Sequence, residues 1–225
     1  MKIGEIIQRV QTRYSSGEEL GTAKLMRRYV YTKMLSVRAT LVFNKINKKQ
    51  FLSKWNYSTL SCIELVKADK NACPCLNLSE CNCKIVLKSK YKLPKPLNKI
   101  SGYIIDSVLS VDDTVQFSEK TYVGQKWSKY DKHTSKKPYF YIKDDYLYVS
   151  NTIKLKALSV TLMVFDPIGV LSYPSICGNE EEICPLYPMD IEFPIDEDLI
   201  DTLVELTVKE LDPAYSTRPK ENIEK

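Results

Sequence analysis

Seven cysteines lie at positions 62, 73, 75, 81, 83, 177 and 184. Four of them, Cys73, Cys75, Cys81 and Cys83, form two C-x-C pairs with five residues between the pairs. Thiolates spaced this way can converge on one tetrahedral zinc, although zinc sites more often space each pair by about two to four residues. The same four can instead remain reduced in a compact turn, the favoured state for a chain made in a reducing cytoplasm. Disulfides formed after release from a cell are a third option. Cys177 and Cys184 bracket GNEEEI and could close a loop in the same way.

Other candidate chemistry is sparse. Glu180-Glu181-Glu182 and Asp196-Glu197-Asp198 are acidic runs that could hold a divalent ion, but such runs are ordinarily solvated loops or helix starts. The single histidine, His133, sits in the polar stretch YDKHTSKKP. Catalytic triads, zinc hydrolases and histidine acid–base enzymes need a histidine in a defined context, which this stretch does not supply. The sequence carries no Walker loop, dinucleotide fingerprint, HExxH or GxSxG, and its seven glycines build no phosphate cradle. No residue is assigned a catalytic role, and the chain is expected to be no enzyme, with no cofactor other than that zinc.

The 225 residues are 44% apolar and 27% charged, a globular composition long enough for one large domain or two small ones. No apolar run reaches the roughly 18 residues of a membrane helix. The N-terminal MKIGEIIQRV carries Glu5 and Arg9 where a signal peptide would be apolar. The expectation is a soluble chain made in the cytoplasm, with no membrane partner. The basic residues are 27 Lys and 6 Arg. That is the reverse of a base-reading protein's preference and more in keeping with an AT-rich genome.

Charge is segregated along the chain. Residues 1–54 hold 12 Lys/Arg against 3 Asp/Glu, residues 55–175 hold 17 against 11, and residues 176–225 hold 4 against 14. A basic head and an acidic tail attract each other most simply within one chain or between neighbours in an assembly.

The elements divide in the same way. Ile3, Ile6, Ile7, Val10 and Tyr14 predict an amphipathic helix over residues 2–14. After the polar SSGEELG, a second helix is predicted from about Thr22 to Asn44. Its apolar positions, including Leu25, Met26, Tyr29, Val30, Met34, Leu35 and Leu41, cover a wide arc, with Arg27, Arg28, Lys33 and Arg38 on a basic outer face. The middle, residues 55–175, reads as a β-rich platform carrying the cysteine cluster. Strands are predicted at Lys84–Leu87, Tyr103–Ser107, Tyr139–Ile142, Tyr146–Ser150 and Ser159–Phe165. YFYIKDDYLYV forms a hairpin about Lys143-Asp144-Asp145, and KLPKPL suits an extended arm or edge segment. Residues 176–225 form an acidic segment and a last helix over 196–211, opened by Asp196, Glu197 and Asp198 and stopped by Pro213. The predicted fold class is therefore α+β: a helical bundle from the N- and C-terminal helices with a β-rich insert between them.

MKIGEIIQRVQTRYSSG, RRYVYTKMLSVRATL, KWNYSTL with CIELV, KLPKPL, FSEKTYVG, KKPYFYIKDDYLYV and FPIDEDLIDTLVELTVKEL together resemble a structural protein of crAss-like bacteriophages, the short-tailed phages of gut Bacteroidales. The resemblance runs over roughly residues 1–211 and rests on the ordered set of segments rather than on any one of them. It implies a ring-forming component of the neck and tail, stacked below the portal and forming part of the DNA conduit. The implied partners are other copies of the chain in a ring, commonly twelve, the portal protein, other tail ring proteins and passing genomic DNA. It implies a place in the virion after assembly in the bacterial cytoplasm. On that reading the helices 2–14, 22–44 and 196–211 pack the ring, with Ile6, Val10, Met34, Leu41, Leu199, Leu203 and Leu206 at the contacts. The competing reading is a zinc-containing nucleic-acid-binding protein, drawn from the basic pI and the cysteine cluster, against which the acidic C-terminus counts.

Overall fold

The computed structural model describes residues 1–15, 26–68, 86–99, 102–121, 137–150, 155–177 and 188–216. It is mixed α+β. The chain divides into two units: one joins Met1–Asn56 to Cys184–Lys225, and the other is Tyr57–Ile183.

The first unit is helical. Helix α1 (Ile3–Tyr14) opens with a capping interaction in which the Lys2 amide donates to the Glu5 carboxylate at 2.9 Å. Ile3, Ile6, Ile7 and Val10 form its buried stripe. Gly4 lets the helix approach the turn at Pro188–Asp190, because a Cβ there would meet the Met189 carbonyl oxygen at 3.2 Å. Helix α2 (Arg27–Asn47) buries Val30, Tyr31, Met34, Leu35, Val37, Arg38, Leu41 and Val42, an arc wide enough to meet neighbours on more than one side. It runs three residues beyond the expected end at Asn44, which brings Lys45 onto the helix; its expected start at Thr22 lies outside the described residues. It closes with a Schellman turn: Lys49 sits at φ 54°, its amide bonds to the Ile46 carbonyl at 3.0 Å, and Gln50 bonds to the Lys45 carbonyl at 2.9 Å.

The third long helix, α4 (Ile200–Ser216), follows a 3-10 turn at Glu197–Leu199 and buries Ile200, Leu203, Val204, Thr207 and Leu211. Pro213 does not stop it, contrary to expectation: a proline forfeits one backbone bond, and the helix continues to Ser216. Both α1 and α2 pack on α4.

The second unit is built on a seven-stranded sheet. Its strands are β1 (Ser58–Lys67), β2 (Val86–Ser89), β5 (Ile105–Ser110), β6 (Ser118–Glu119), β7 (Tyr139–Lys143), β8 (Tyr146–Ser150) and β9 (Ala157–Leu162). The order is β5-β9-β1-β2-β8-β7-β6, and β3 (Asn98–Lys99) and β4 (Gly102–Tyr103) form a separate pair. All neighbours are antiparallel except β6 and β7. A bridge between Leu109 and Gln116 brings the last edge back to the first, so the sheet is nearly a closed barrel. Its interior holds Leu60, Ile63, Leu65, Val108, Phe140, Leu147, Val149, Leu158, Val160 and Leu162. A short helix α3 (Ile168–Leu171) follows β9.

The hairpin of β7 and β8 turns on Asp144 and Asp145, both at positive φ (53° and 65°), the conformation of a type I′ turn. The expected strand at Tyr103–Ser107 is split between β4 and β5, and that at Ser159–Phe165 begins two residues earlier and ends three earlier. KLPKPL is extended: the Leu97 amide bonds to the Met163 carbonyl at 2.9 Å, and Leu93 and Leu97 are buried.

The longest strand among the described residues, β1, was not expected. Its buried positions Leu60, Cys62, Ile63 and Leu65 change parity at a bulge, where Cys62 takes φ 54° and the pairing with β9 shifts register. Cys62 is bonded to Cys177 across 115 residues, with Cα atoms 5.6 Å apart. The sequence offered Cys184 as a possible loop-closing partner for Cys177; the structure instead ties Cys177 to the bulge, where the Ile176 amide also bonds to the Cys62 carbonyl at 3.3 Å.

Candidate functional site

The segregated charge resolves, inside the first unit, into ion pairs between its two chain segments. Lys2 lies 3.5 Å from Asp190, Arg9 3.3 Å from Asp201, and Lys33 3.7 Å from Glu210. Lys45 reaches Asp196 at 2.9 Å and Asp198 at 3.0 Å. Exposed pairs of this kind contribute about 0–1 kcal/mol each, so the first three set register between helices more than they hold them.

The Lys45–Asp196 pair differs, because its side chains are only 15% and 8% exposed. Asp196 accepts three hydrogen bonds in all at this centre. The Asn56 side-chain amide donates to it at 2.7 Å, the Ser53 hydroxyl donates to the same carboxylate oxygen, and Lys45 donates to the other. Burial alone would raise the Asp196 pKa; the hydrogen bonds from Ser53, Lys45 and Asn56 outweigh it and hold the carboxyl below its ordinary value. Burial likewise works against charge on Lys45, but its bonds to Asp196 and Asp198 win and raise its pKa.

Two turns back along α2 from Lys45, Arg38 is fully buried rather than on the expected outer face. Its Nε donates to the Pro194 carbonyl at 2.7 Å, its Nη2 donates to the Asn56 carbonyl at 3.2 Å, and the guanidinium lies 5.7 Å from the centre of the Phe193 ring. Burial lowers its pKa to about 10, with Tyr31 opposing, which still leaves it charged at neutral pH. Arg38 and Asp196 thus fix the same two segments, 53–56 and 193–196, from opposite chemical sides: one supplies donors and the other acceptors.

This knot positions the loop between α2 and β1. Ser53 and Asn56 are held inward, while Phe51 is 86% exposed and Trp55 72% exposed. Neither aromatic was singled out by pattern, because aromatic residues near a helix end read as core.

The sequence-derived contact residues separate into two groups. Ile6, Val10, Met34, Leu41 and Leu203 are buried within the single chain, as parts of its own core. Leu199, in the 3-10 turn before α4, and Leu206, on α4, are half-buried. Asp196 is a structural acceptor, and Glu197 and Asp198 are exposed at the start of the helix. Cys73, Cys75, Cys81 and Cys83, together with His133 and Glu180-Glu181-Glu182, lie outside the described residues.

Two open clefts occur among the described residues. One, of about 510 Å³, runs between α1 and α4 and is lined by Glu5, Gln8, Arg9, Thr12, Arg13, Asp201 and Val204. The other, of about 370 Å³, lies in the second unit where β5 and β6 diverge beyond their single bridge, with Asp106 and Glu119 at its rim. Neither brings together a nucleophile, a base and an oxyanion donor. Among the described residues no group of three or more His, Cys, Asp or Glu could hold a metal ion, and no helix is long and apolar enough to cross a membrane.

The family model described as phage tail ring protein 2 matches residues 5–223. No curated protein matches the chain.

Proposed function

The chain belongs to the crAss-like phage tail ring protein 2 family, and from that premise we propose that it forms a closed ring, commonly of twelve copies, stacked below the portal as part of the DNA conduit. Membership makes it a structural protein of a phage tail and gives it a place in the virion. The finer reading is that the terminal helices form a bundle that packs the ring, that the β unit stacks onto adjacent rings, and that the role is mechanical, with no reaction. The match over residues 5–223 carries this proposal.

The ion pairs support the conduit reading. Lys2, Arg9, Lys33 and Lys45 each face a carboxylate of their own chain. Cations neutralised in this way release few counterions from DNA, which limits the grip of these four on a passing duplex. The deciding experiment is an electron-microscopy reconstruction of tails carrying this protein. Density for a ring of this chain between portal and distal tail is expected; its placement outside the DNA path, or as a monomer, overturns the proposal.

A further inference from the structure

We propose that the Cys62–Cys177 bond is a reversible thiol–disulfide latch. It fixes the stretch 174–177 to the bulge of β1 in oxidising surroundings and is opened by thiols through Cys177. The inference goes beyond the ring reading and does not depend on how copies of the chain are arranged.

The two cysteines sit in unlike places. Cys62 is 6% exposed, whereas Cys177 and the preceding Pro174, Ser175 and Ile176 are all exposed. Apart from the disulfide, the hydrogen bond that holds this stretch to the sheet, among the described residues, runs from the Ile176 amide to the Cys62 carbonyl and is long at 3.3 Å. The Cys177 amide bonds locally, to the Ser175 hydroxyl at 3.4 Å. Further back, Tyr173 packs against the core of the sheet. One covalent bond therefore decides whether residues 174–177 are fixed. It also acts on β1, because Cys62 is held at φ 54°, where an L-residue persists only under constraint from its surroundings.

The latch joins the two ends of its unit. Cys62 lies shortly after Tyr57, where the chain enters the second unit, and Cys177 shortly before Ile183, where it leaves. Opening the bond frees the leaving end back to Tyr173 and takes no hydrogen bond from the pairing of β1 with β9 or β2.

Access sets the course of exchange. A thiolate RS⁻ attacks the exposed Cys177 sulfur, forms the mixed disulfide RS–S–Cys177 and expels the Cys62 thiolate. A second RS⁻ attacks the R-bearing sulfur, which releases the Cys177 thiolate and RSSR. Closure is the reverse: two thiol protons and two electrons pass from the cysteines to RSSR, a low-molecular-weight disulfide, and two RSH leave. A phage protein is made inside a reducing host and works in a particle released from it, so it meets both directions.

The test treats the oxidised full-length chain with reduced glutathione, without denaturant, and alkylates samples at intervals. Peptide mapping by mass spectrometry follows the two cysteines, and hydrogen exchange follows the backbone. The first glutathione adduct is expected on Cys177, with Cys62 alkylated. Exchange in residues 174–177 and at the bulge is expected to rise roughly tenfold while the β7–β8 hairpin stays protected. Oxidised glutathione should restore both, and Cys177→Ser should show the open-state exchange with no thiol added. A bond that opens only when the hairpin also exchanges is a fixed structural bond and overturns the latch. A first adduct on Cys62, or equal exchange at 174–177 in the two states, does the same. Protein alkylated on withdrawal from infected cells should carry both thiols free, and protein from released particles the closed bond; one state in both places overturns the inference and leaves the ring reading standing.

Discussion

Lys45 and Asp196 are 151 residues apart in sequence and 2.9 Å apart in space. The contact links the last turn of α2 to the segment leading into α4, and it lies where Ser53, Asn56 and Asp198 also converge. The charge split of the sequence is thereby spent largely on internal cohesion.

Removing the acceptor should expose how much rests on it. Asp196→Ala leaves the Asn56 amide and the Ser53 hydroxyl without their acceptor and the largely buried Lys45 with only Asp198 to pair. A loss of about 2–4 kcal/mol is expected, read as a lower urea midpoint with an unchanged slope. Asp201→Ala, which breaks only the exposed pair with Arg9, should cost less than about 1 kcal/mol.

The same carboxylate predicts an acid response. Its folded pKa lies below the ordinary 3.8, so its stabilising contribution is fully present above that value and is lost as pH falls through the lower folded pKa. Denaturation curves from neutral pH down to about pH 2 should show this loss in the wild type. In Asp196→Asn the drop should be smaller over the same window. Equal drops would mean that other carboxylates govern acid unfolding.

Leu203 and Leu206 share a helix but not an environment. Leu203→Asp places a charge in the core and should unfold the first unit, at a cost of about 3–5 kcal/mol. Leu206→Asp, on the half-buried edge, should keep the fold within about 1 kcal/mol. Thermal melts of the two variants separate the outcomes, and similar melts would contradict the burial pattern.

The bond between Cys62 and Cys177 closes a loop of 115 residues. Cys177→Ser should lower stability by roughly 3–5 kcal/mol, and reductant should shift the wild type but not the variant. A peptide map without reduction checks the pairing directly; a Cys177–Cys184 peptide in its place would contradict the structure.

Helical stripes were legible because burial in α1 follows one face: Ile3, Ile6, Ile7 and Val10 needed only their spacing. The β7–β8 hairpin was legible for a similar reason, since two strand-like runs flank a pair of aspartates suited to positive φ. β1 was not, because the bulge at Cys62 reverses which parity faces inward and erases the alternation that marks a strand. Arg38 was misplaced because its acceptors, the carbonyls of Pro194 and Asn56, come from segments that only the tertiary fold assembles around it. Five of the seven expected contact residues proved to be internal, since an apolar stripe looks the same whether a neighbouring helix or a neighbouring molecule covers it.

Because the first unit draws on both Met1–Asn56 and Cys184–Lys225, its helices cannot be completed in the order in which translation delivers them. At the usual ~5–20 residues per second, α1 and α2 wait on the order of ten seconds or longer for α4 to emerge. Throughout that interval their apolar faces are chaperone substrates rather than building material. A polypeptide aborted midway lacks α4, the helix on which α1 and α2 pack, and so leaves their apolar faces bare.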